Sequence, residues 1–426
     1  MNEASTVSLR SSGTDLQASR VIAAASIGNA LEWFDLIIYG FFAVTISKLF
    51  FPAGNETVSL MLTLGTFGVS FFMRPLGAIV LGVYADKAGR KAALTISIVM
   101  MMGGTLLIAV MPTYQSIGVL APVGIIIARL IQGFSAGGEF GSATAFLAEH
   151  GANRRGFYSS WQAASQGLTT LLAALAGASL TSILTPEQVL SWGWRVPFVF
   201  GLLIGPVAYY IRRRVDETPV FLAAETTQSP LTDTFSSQKQ RLLLAVGAVV
   251  VGTVATYLIL YMPTYAVKQL GIPPSAAFAA TIATGVTQMV GAPLFGHLSD
   301  RRGRTGIMIG AAAIFLVFTY PVFRFLEIHP TLGVLVCVQV FFGVAISAYF
   351  GALPALMSEL FSTQTRTTGM SLGYNIAVTM FGGFAPFIVT SLISVTGNQL
   401  APSFYLIAAA AISLVALMRV RALGVK

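Results

Sequence analysis

Apolar runs of about twenty residues or more, parted by short turns rich in charge, glycine and proline, fill almost the whole chain. A helix rises ~1.5 Å per residue, so runs of that length cross a ~30 Å hydrocarbon core. The pattern predicts helices over 21–48, 58–84, 91–111, 117–148, 155–185, 193–213, 241–268, 275–298, 305–325, 332–359, 366–396 and 401–422. The polar remainder divides the chain into a tail at 1–20, a first bundle at 21–213, a linker at 214–240, a second bundle at 241–422 and a short tail at 423–426. The expected fold is an all-α membrane protein with twelve transmembrane helices.

The turn after the second predicted helix, Gly82-Val83-Tyr84-Ala85-Asp86-Lys87-Ala88-Gly89-Arg90, returns after the eighth as Gly296-His297-Leu298-Ser299-Asp300-Arg301-Arg302-Gly303-Arg304. Its Gly, Asp, Gly and Arg are each displaced by 214 residues in a chain of 426, so the chain is a duplication of two pseudo-symmetric six-helix halves. Paired halves of this kind suit a carrier that opens alternately to the two sides of a membrane.

Composition narrows the class further: 55% of residues are hydrophobic and 10% charged, with a mean hydropathy of +0.78. Soluble domains carry about 25% charged residues. Most of the 25 lysines and arginines fall in the tails and in alternate turns, among them Arg10, Lys87, Arg154, Arg213, Arg241, Arg302 and Arg419, whereas the opposite face keeps Lys48, Lys268 and Arg324. That bias places both termini in the cytoplasm, and the net charge of +9 reports topology, not nucleic-acid binding. Cys337 alone makes no disulfide framework, and His150, His297 and His329 have no ligand spacing, so neither a metal nor another cofactor is expected. No nucleophile–base pair suggests an enzyme. The first 20 residues lack a cleavable signal pattern, so the first helix is expected to direct insertion itself.

Ionisable groups are costly in lipid and therefore mark function or paired structural ions. Counted from the predicted helix ends at ~1.5 Å per residue, Glu32, Asp35, Arg74 and Glu139 share one layer within several ångströms. Glu32 and Asp35, three apart, project from one side of the first helix. Two close carboxylates cannot both hold charge cheaply, so one of Asp35, Glu32 or Glu139 is a candidate proton carrier. Arg74 either pairs permanently with Glu32 or Asp35, or releases its partner to an anionic substrate.

Arg129 lies about 15 Å further out than Glu139 along the fourth helix, with Gln132 and Ala136 on its stripe and the small residues Gly133, Ser135, Gly137 and Gly138 around them. Such a stripe implies close helix contact. The planar guanidinium suits a substrate carboxylate; alternatively it pairs with an acid on the first helix or with backbone carbonyls. Arg195, near the outer end of the sixth helix, is expected to snorkel to the interface. The second half offers neutral donors, of which Tyr257, Gln288 and Asn375 are the candidate substrate contacts, each competing with a plain interhelical hydrogen bond.

The twin turns resemble the major facilitator superfamily, whose halves each carry Gly-x-x-x-Asp-x-x-Gly-Arg after their second helix. More narrowly, Gly28-Asn29-Ala30-Leu31-Glu32-Trp33-Phe34-Asp35, Arg74-Pro75-Leu76-Gly77-Ala78, Arg129 to Glu139 and Trp192-Gly193-Trp194-Arg195-Val196-Pro197-Phe198 are similar to its metabolite–proton symporter branch. Within that branch, Leu60-Met61-Leu62-Thr63 and Gly156-Phe157-Tyr158-Ser159-Ser160-Trp161-Gln162 look most like the citrate and tricarballylate carriers. The resemblance implies a proton-gradient-driven importer of a small organic acid, functional as a monomer in a bacterial inner membrane. Shikimate, another monocarboxylate or a zwitterionic osmolyte is the alternative cargo, and a substrate sensor or a drug–proton antiporter the more distant reading. It also implies that Asp86, Arg90, Glu149, Asp300, Arg304 and Glu359, at the inner helix ends, latch the halves and act in gating, where the alternative is that they only fix loop shape.

Overall fold

The computed structural model describes residues 33–88, 90–137, 154–213, 238–361 and 365–424, with isolated positions at 22, 26, 29, 30, 144, 147 and 148, and no strand occurs among them. α1 (Trp33–Phe41) meets α2 (Ala43–Phe50) at a 70° bend, so the single helix expected up to 48 is broken. The bend follows Gly40, where an added Cβ would stand 2.4 Å from Leu260 Cδ2. The missing side chain thus admits a neighbouring helix at the kink.

α3 (Glu56–Ala88), α4 (Arg90–Val110), α6 (Leu120–Ala136), α7 (Arg155–Ile183) and α9 (Val196–Arg213) follow the predicted order. Two short elements interrupt it: α5 (Tyr114–Ile117) before α6, and α8 (Pro186–Ser191) before α9. The second set is α10 (Lys239–Leu270), α11 (Pro274–Arg302), α12 (Arg304–Ile328), α13 (Leu332–Leu360), α14 (Arg366–Ala377), α15 (Ala385–Thr396) and α16 (Ala401–Ala422). A π-turn at Val378–Gly382 interrupts what the sequence reads as one helix over 366–396. Eight described helices are long and apolar enough to cross a bilayer, and α1 with α2 makes a ninth candidate. The apolar stretches Thr95–Val110, Leu120–Ala136 and Gly193–Leu203 are shorter.

Polarity is arranged for lipid. Phe72, Leu203, Leu294 and Val395 face outward, while Gln132, Gln162, Gln166, Gln288 and Gln339 are buried. The small-residue stripe does what its spacing implies: a Cβ on Gly133 would stand 1.9 Å from Ser70 O, and one on Gly137 2.0 Å from Arg74 O. α3 and α6 therefore touch backbone to backbone. The two sets of helices meet chiefly along α7 and α11, with α3 also against α14 and α15.

At the end carrying the basic turns, Asp300 Oδ1 accepts the Gly156 N–H (2.8 Å) and Oδ2 the Phe157 N–H (2.9 Å). Gly156 and Phe157 lie in the first turn of α7, whose amides have no partner within the helix, so a carboxylate from one set caps a helix of the other. At the opposite end Lys268 pairs with Glu56 at 2.5 Å, again between the sets.

Candidate functional site

Asp35, from the middle of the apolar helix α1, is 3% exposed. Its Oδ2 accepts the Thr105 hydroxyl of α4, while Oδ1 has no hydrogen-bond partner. Of the two carboxylates read as partners of Arg74, Asp35 takes its described contact from α4, and Glu32 lies outside the described residues. Counting rise along helices gives depth but not the rotation that turns Asp35 toward α4.

From Thr105 the network runs on to α6. Gln132 Nε2 donates to Thr105 Oγ1 (3.0 Å), and Arg129 Nη1 donates to Gln132 Oε1 (2.8 Å). Thr105 Oγ1 also lies 3.0 Å from Met101 O, one turn back on α4. Arg129 is 1% exposed, with its guanidinium 4.4 Å from the Tyr39 ring centre and 5.2 Å from that of Phe67. Cation–π contacts hold the charge in place without using its N–H groups. Nε and Nη2 have no hydrogen-bond partner. A buried fork with two open donors is a receptor for a carboxylate.

Arg74 is also buried, its guanidinium 4.7 Å from the Phe71 ring centre. Tyr257 of α10 completes the aromatic wall: its ring lies 6.2 Å from Trp33, 5.9 Å from Phe67 and 5.3 Å from Phe71. Trp33 in turn lines a cavity of about 10 Å³ between the two sets, with Ile37, Gln166, Thr170, Gln288 and Ile346. That volume holds about one water molecule. Gln288 thus faces the cavity as the sequence reading requires of a substrate contact. Asn375 instead bridges the sets, Nδ2 donating to Gly137 O at 3.0 Å, while its Oδ1 has no hydrogen-bond partner.

Glu32, Glu139 and Glu149 lie outside the described residues, as do the side chains of Asp86 and Arg90. Their partners Asp300, Arg304 and Glu359 do come together: Arg304 Nη2 is 2.9 Å from Glu359 Oε1 and 3.3 Å from Asp300 Oδ1. Arg195 does not spend its donors on the interface. It gives them to Ala109 O (3.0 Å), Met111 O (2.9 Å) and Ser191 O (3.0 Å), closing the carbonyl end of α4.

Sequence reasoning missed Thr105 and Gln166. A threonine in a transmembrane helix commonly bonds its own backbone, so Thr105 carries no local signal. Gln166 does: Ser159, Gln162, Gln166 and Thr169, with Thr170, form a polar stripe at helical spacing along α7. The duplication sharpens the contrast between halves. The displacement of 214 residues relates Arg74 to Gln288, and that of 210, which relates Glu149 to Glu359, relates Arg129 to Gln339. Gln339 is satisfied, accepting from Thr284 (2.7 Å) and donating to Thr281 (3.0 Å), so the second copy keeps a structural amide where the first keeps an open cation.

Among the described residues no cluster of His, Cys, Asp or Glu could hold a metal ion. The family model described as Major Facilitator Superfamily matches residues 25–386 and 268–423. A citrate-proton symporter of Klebsiella pneumoniae is 38% identical over 393 residues, covering 91% of this chain and 88% of that protein. A proline/betaine transporter of Escherichia coli (strain K12) is 31% identical over 417 residues, covering 94% of this chain and 83% of that one. Among solved structures, a proton:xylose symporter bound to 6-bromo-6-deoxy-D-glucose superposes with a TM-score of 0.78 at 15% identity, over 94% of each chain.

Proposed function

Since the chain belongs to the major facilitator superfamily, we propose that it is a proton-coupled secondary transporter importing citrate or a related di- or tricarboxylate by alternating access. The observation that carries this reading is the open guanidinium of Arg129, tied by hydrogen bonds to the buried carboxylate of Asp35. One group receives an anion and the other receives a proton, and each is reached through the other. The citrate-proton symporters at 38% identity support the choice of cargo.

In this reading Asp35 carries the proton and the gradient supplies the energy; Glu32 and Glu139 remain candidates beside it. Arg129 anchors the substrate, while Arg74, Gln288, Tyr257 and Gln166 shape the cavity that must open around it. A tricarboxylate far exceeds a space of about 10 Å³, so in this reading the helices part around the cavity to admit it, and the Asp300 contacts with α7 must yield at the basic end. Asp300, Arg304 and Glu359 gate the basic end, with Asp86, Arg90 and Glu149 as their counterparts in the first half. The twelve spans in two six-helix halves are supported by the eight long helices and the bent pair, with the three shorter apolar stretches read as the remainder. The positive-inside bias puts both termini in the cytoplasm of a bacterial inner membrane, and the monomer is the working unit.

A zwitterionic osmolyte is the second reading, favoured by the aromatic rings of Trp33, Phe67, Phe71 and Tyr257 around the cation site, a surface that suits a quaternary ammonium. The test is uptake of labelled citrate into proteoliposomes with and without an inward proton gradient, challenged by unlabelled tricarballylate, 2-oxoglutarate, shikimate and betaine. Gradient-dependent uptake blocked by tricarboxylates supports the first reading. Block by betaine alone transfers the assignment to the second.

A further inference from the structure

We propose that Thr105 and Gln132 are positioning residues that transmit the charge state of Asp35 to Arg129, so that a proton on Asp35 frees Arg129 for the substrate carboxylate. This rests on the proton-coupled reading above and supplies its coupling step. The evidence is the direction of the hydrogen bonds. Two donors point one way, Arg129 Nη1–H to Gln132 Oε1 and Gln132 Nε2–H to Thr105 Oγ1, and the single Thr105 hydrogen is within reach of both Asp35 Oδ2 and Met101 O. A head-to-tail chain of this kind is polarised by a negative charge at its acceptor end, and each bond strengthens the next. An ionised Asp35 therefore holds the Arg129 guanidinium against Gln132.

The threonine hydroxyl is what makes the arrangement reversible. It has one hydrogen and two lone pairs, and it lies 3.0 Å from Met101 O as well as on Asp35. When Asp35 takes a proton, its own O–H donates to Thr105 Oγ1, and the Thr105 hydrogen turns to Met101 O. Both states are fully bonded at Thr105, so the change orphans no polar atom there. In the second state the chain no longer ends on a negative charge. Its pull on Gln132 falls, and Nη1 joins Nε and Nη2 as a donor open to an anion. The proton comes from bulk water on the loading side and returns to bulk water on the other; at Thr105 and Gln132 only hydrogen bonds change.

The hydrogen-bond chain acts beside a direct attraction between the Asp35 and Arg129 charges. Asp35 Oδ1 faces the backbone of α9, where a Cβ on Gly201 would stand 2.6 Å away. Arg129 is faced by Tyr39 and Phe67, with Asp35, Arg74 and Tyr257 the further ionisable groups near it. Glu32 and Glu139 lie outside the described residues. The coupling is reciprocal: if protonation favours the anion, the bound anion favours protonation by the same factor.

The test is citrate binding by calorimetry to the purified protein in nanodiscs across a pH series, for the unaltered protein, Thr105→Val, Thr105→Ser, Gln132→Met and Asp35→Asn. The ionisation of citrate itself is common to all, so differences between variants report the protein. Unaltered protein and Thr105→Ser should bind more tightly as pH falls. Thr105→Val, which keeps the shape and deletes the hydroxyl, and Gln132→Met should each lose about fivefold or more of that dependence. Both should lose gradient-driven accumulation. Thr105→Val or Gln132→Met with an unaltered pH dependence and unaltered accumulation overturns the proposal. If the unaltered protein binds no citrate, the cargo reading fails separately. The chain is then read from the carboxyl infrared band that Asp35→Asn removes: a shift in Thr105→Val supports the proposal, and an unshifted band overturns it.

Discussion

Asp300 caps a helix to which it does not belong, its Oδ1 accepting the Gly156 N–H of α7 at 2.8 Å across 144 residues of sequence. Loss of a capping carboxylate costs about 0.5–2 kcal/mol. Asp300→Ala should therefore weaken closure at the basic end by several-fold, seen as faster labelling of a cysteine placed beside Gly156. Citrate affinity should change less than threefold. A large loss of affinity would place Asp300 in substrate binding and contradict its role as a latch.

Arg129 presents two open donors in a fixed plane, a geometry that a lysine cannot copy. Arg129→Lys should weaken citrate binding by roughly tenfold and Arg129→Ala by a hundredfold or more, in line with about 1.5–3 kcal/mol for charged hydrogen bonds. Calorimetry on both variants checks this. Unaltered affinity in Arg129→Lys would show that the charge alone matters.

Gly133 and Gly103 differ in what a methyl group would meet: Ser70 O at 1.9 Å in one case and open space in the other. Gly133→Ala should separate α3 from α6 and cost about 1–3 kcal/mol. Gly103→Ala should be neutral or slightly stabilising, since alanine favours helix by up to ~1 kcal/mol. Thermal unfolding in detergent separates them, with a clear drop in Tm expected for the first alone.

Lys268 and Glu56 form a closer pair than any among the described residues at the basic end, yet Glu56 is 68% exposed. Exposed ion pairs contribute about 0–1 kcal/mol and are screened by salt. Lys268→Ala should leave uptake within about twofold of the unaltered rate, and the difference should vanish at high salt. A tenfold effect would make this pair a true outer gate.

Helix order was legible because lipid imposes one rule on every span: twenty or so apolar residues between polar turns. Where the chain departs from straight helices, at the bend after Gly40 and the π-turn at Val378–Gly382, the cause is tertiary contact, which an apolar run does not encode. Asp35, Arg129 and Gln132 stood out because charge and amide in lipid are costly. Thr105 did not, since its importance comes from lying between Asp35 and Gln132 in space. Depth could be counted from the sequence, whereas rotation about each helix axis could not, and rotation decides that Asp35 faces Thr105. The repeat also promised more symmetry than the side chains keep: Arg129 is an open cation, and its counterpart Gln339 is a closed structural link.

The central claim is that Asp35 carries the coupled proton without being needed to bind the substrate. Proteoliposomes containing Asp35→Asn, assayed for labelled citrate in both counterflow and gradient-driven modes, test it most directly. The account predicts counterflow within a few-fold of the unaltered protein and no accumulation against a citrate gradient. Accumulation at the unaltered level would contradict it and move the proton to another group.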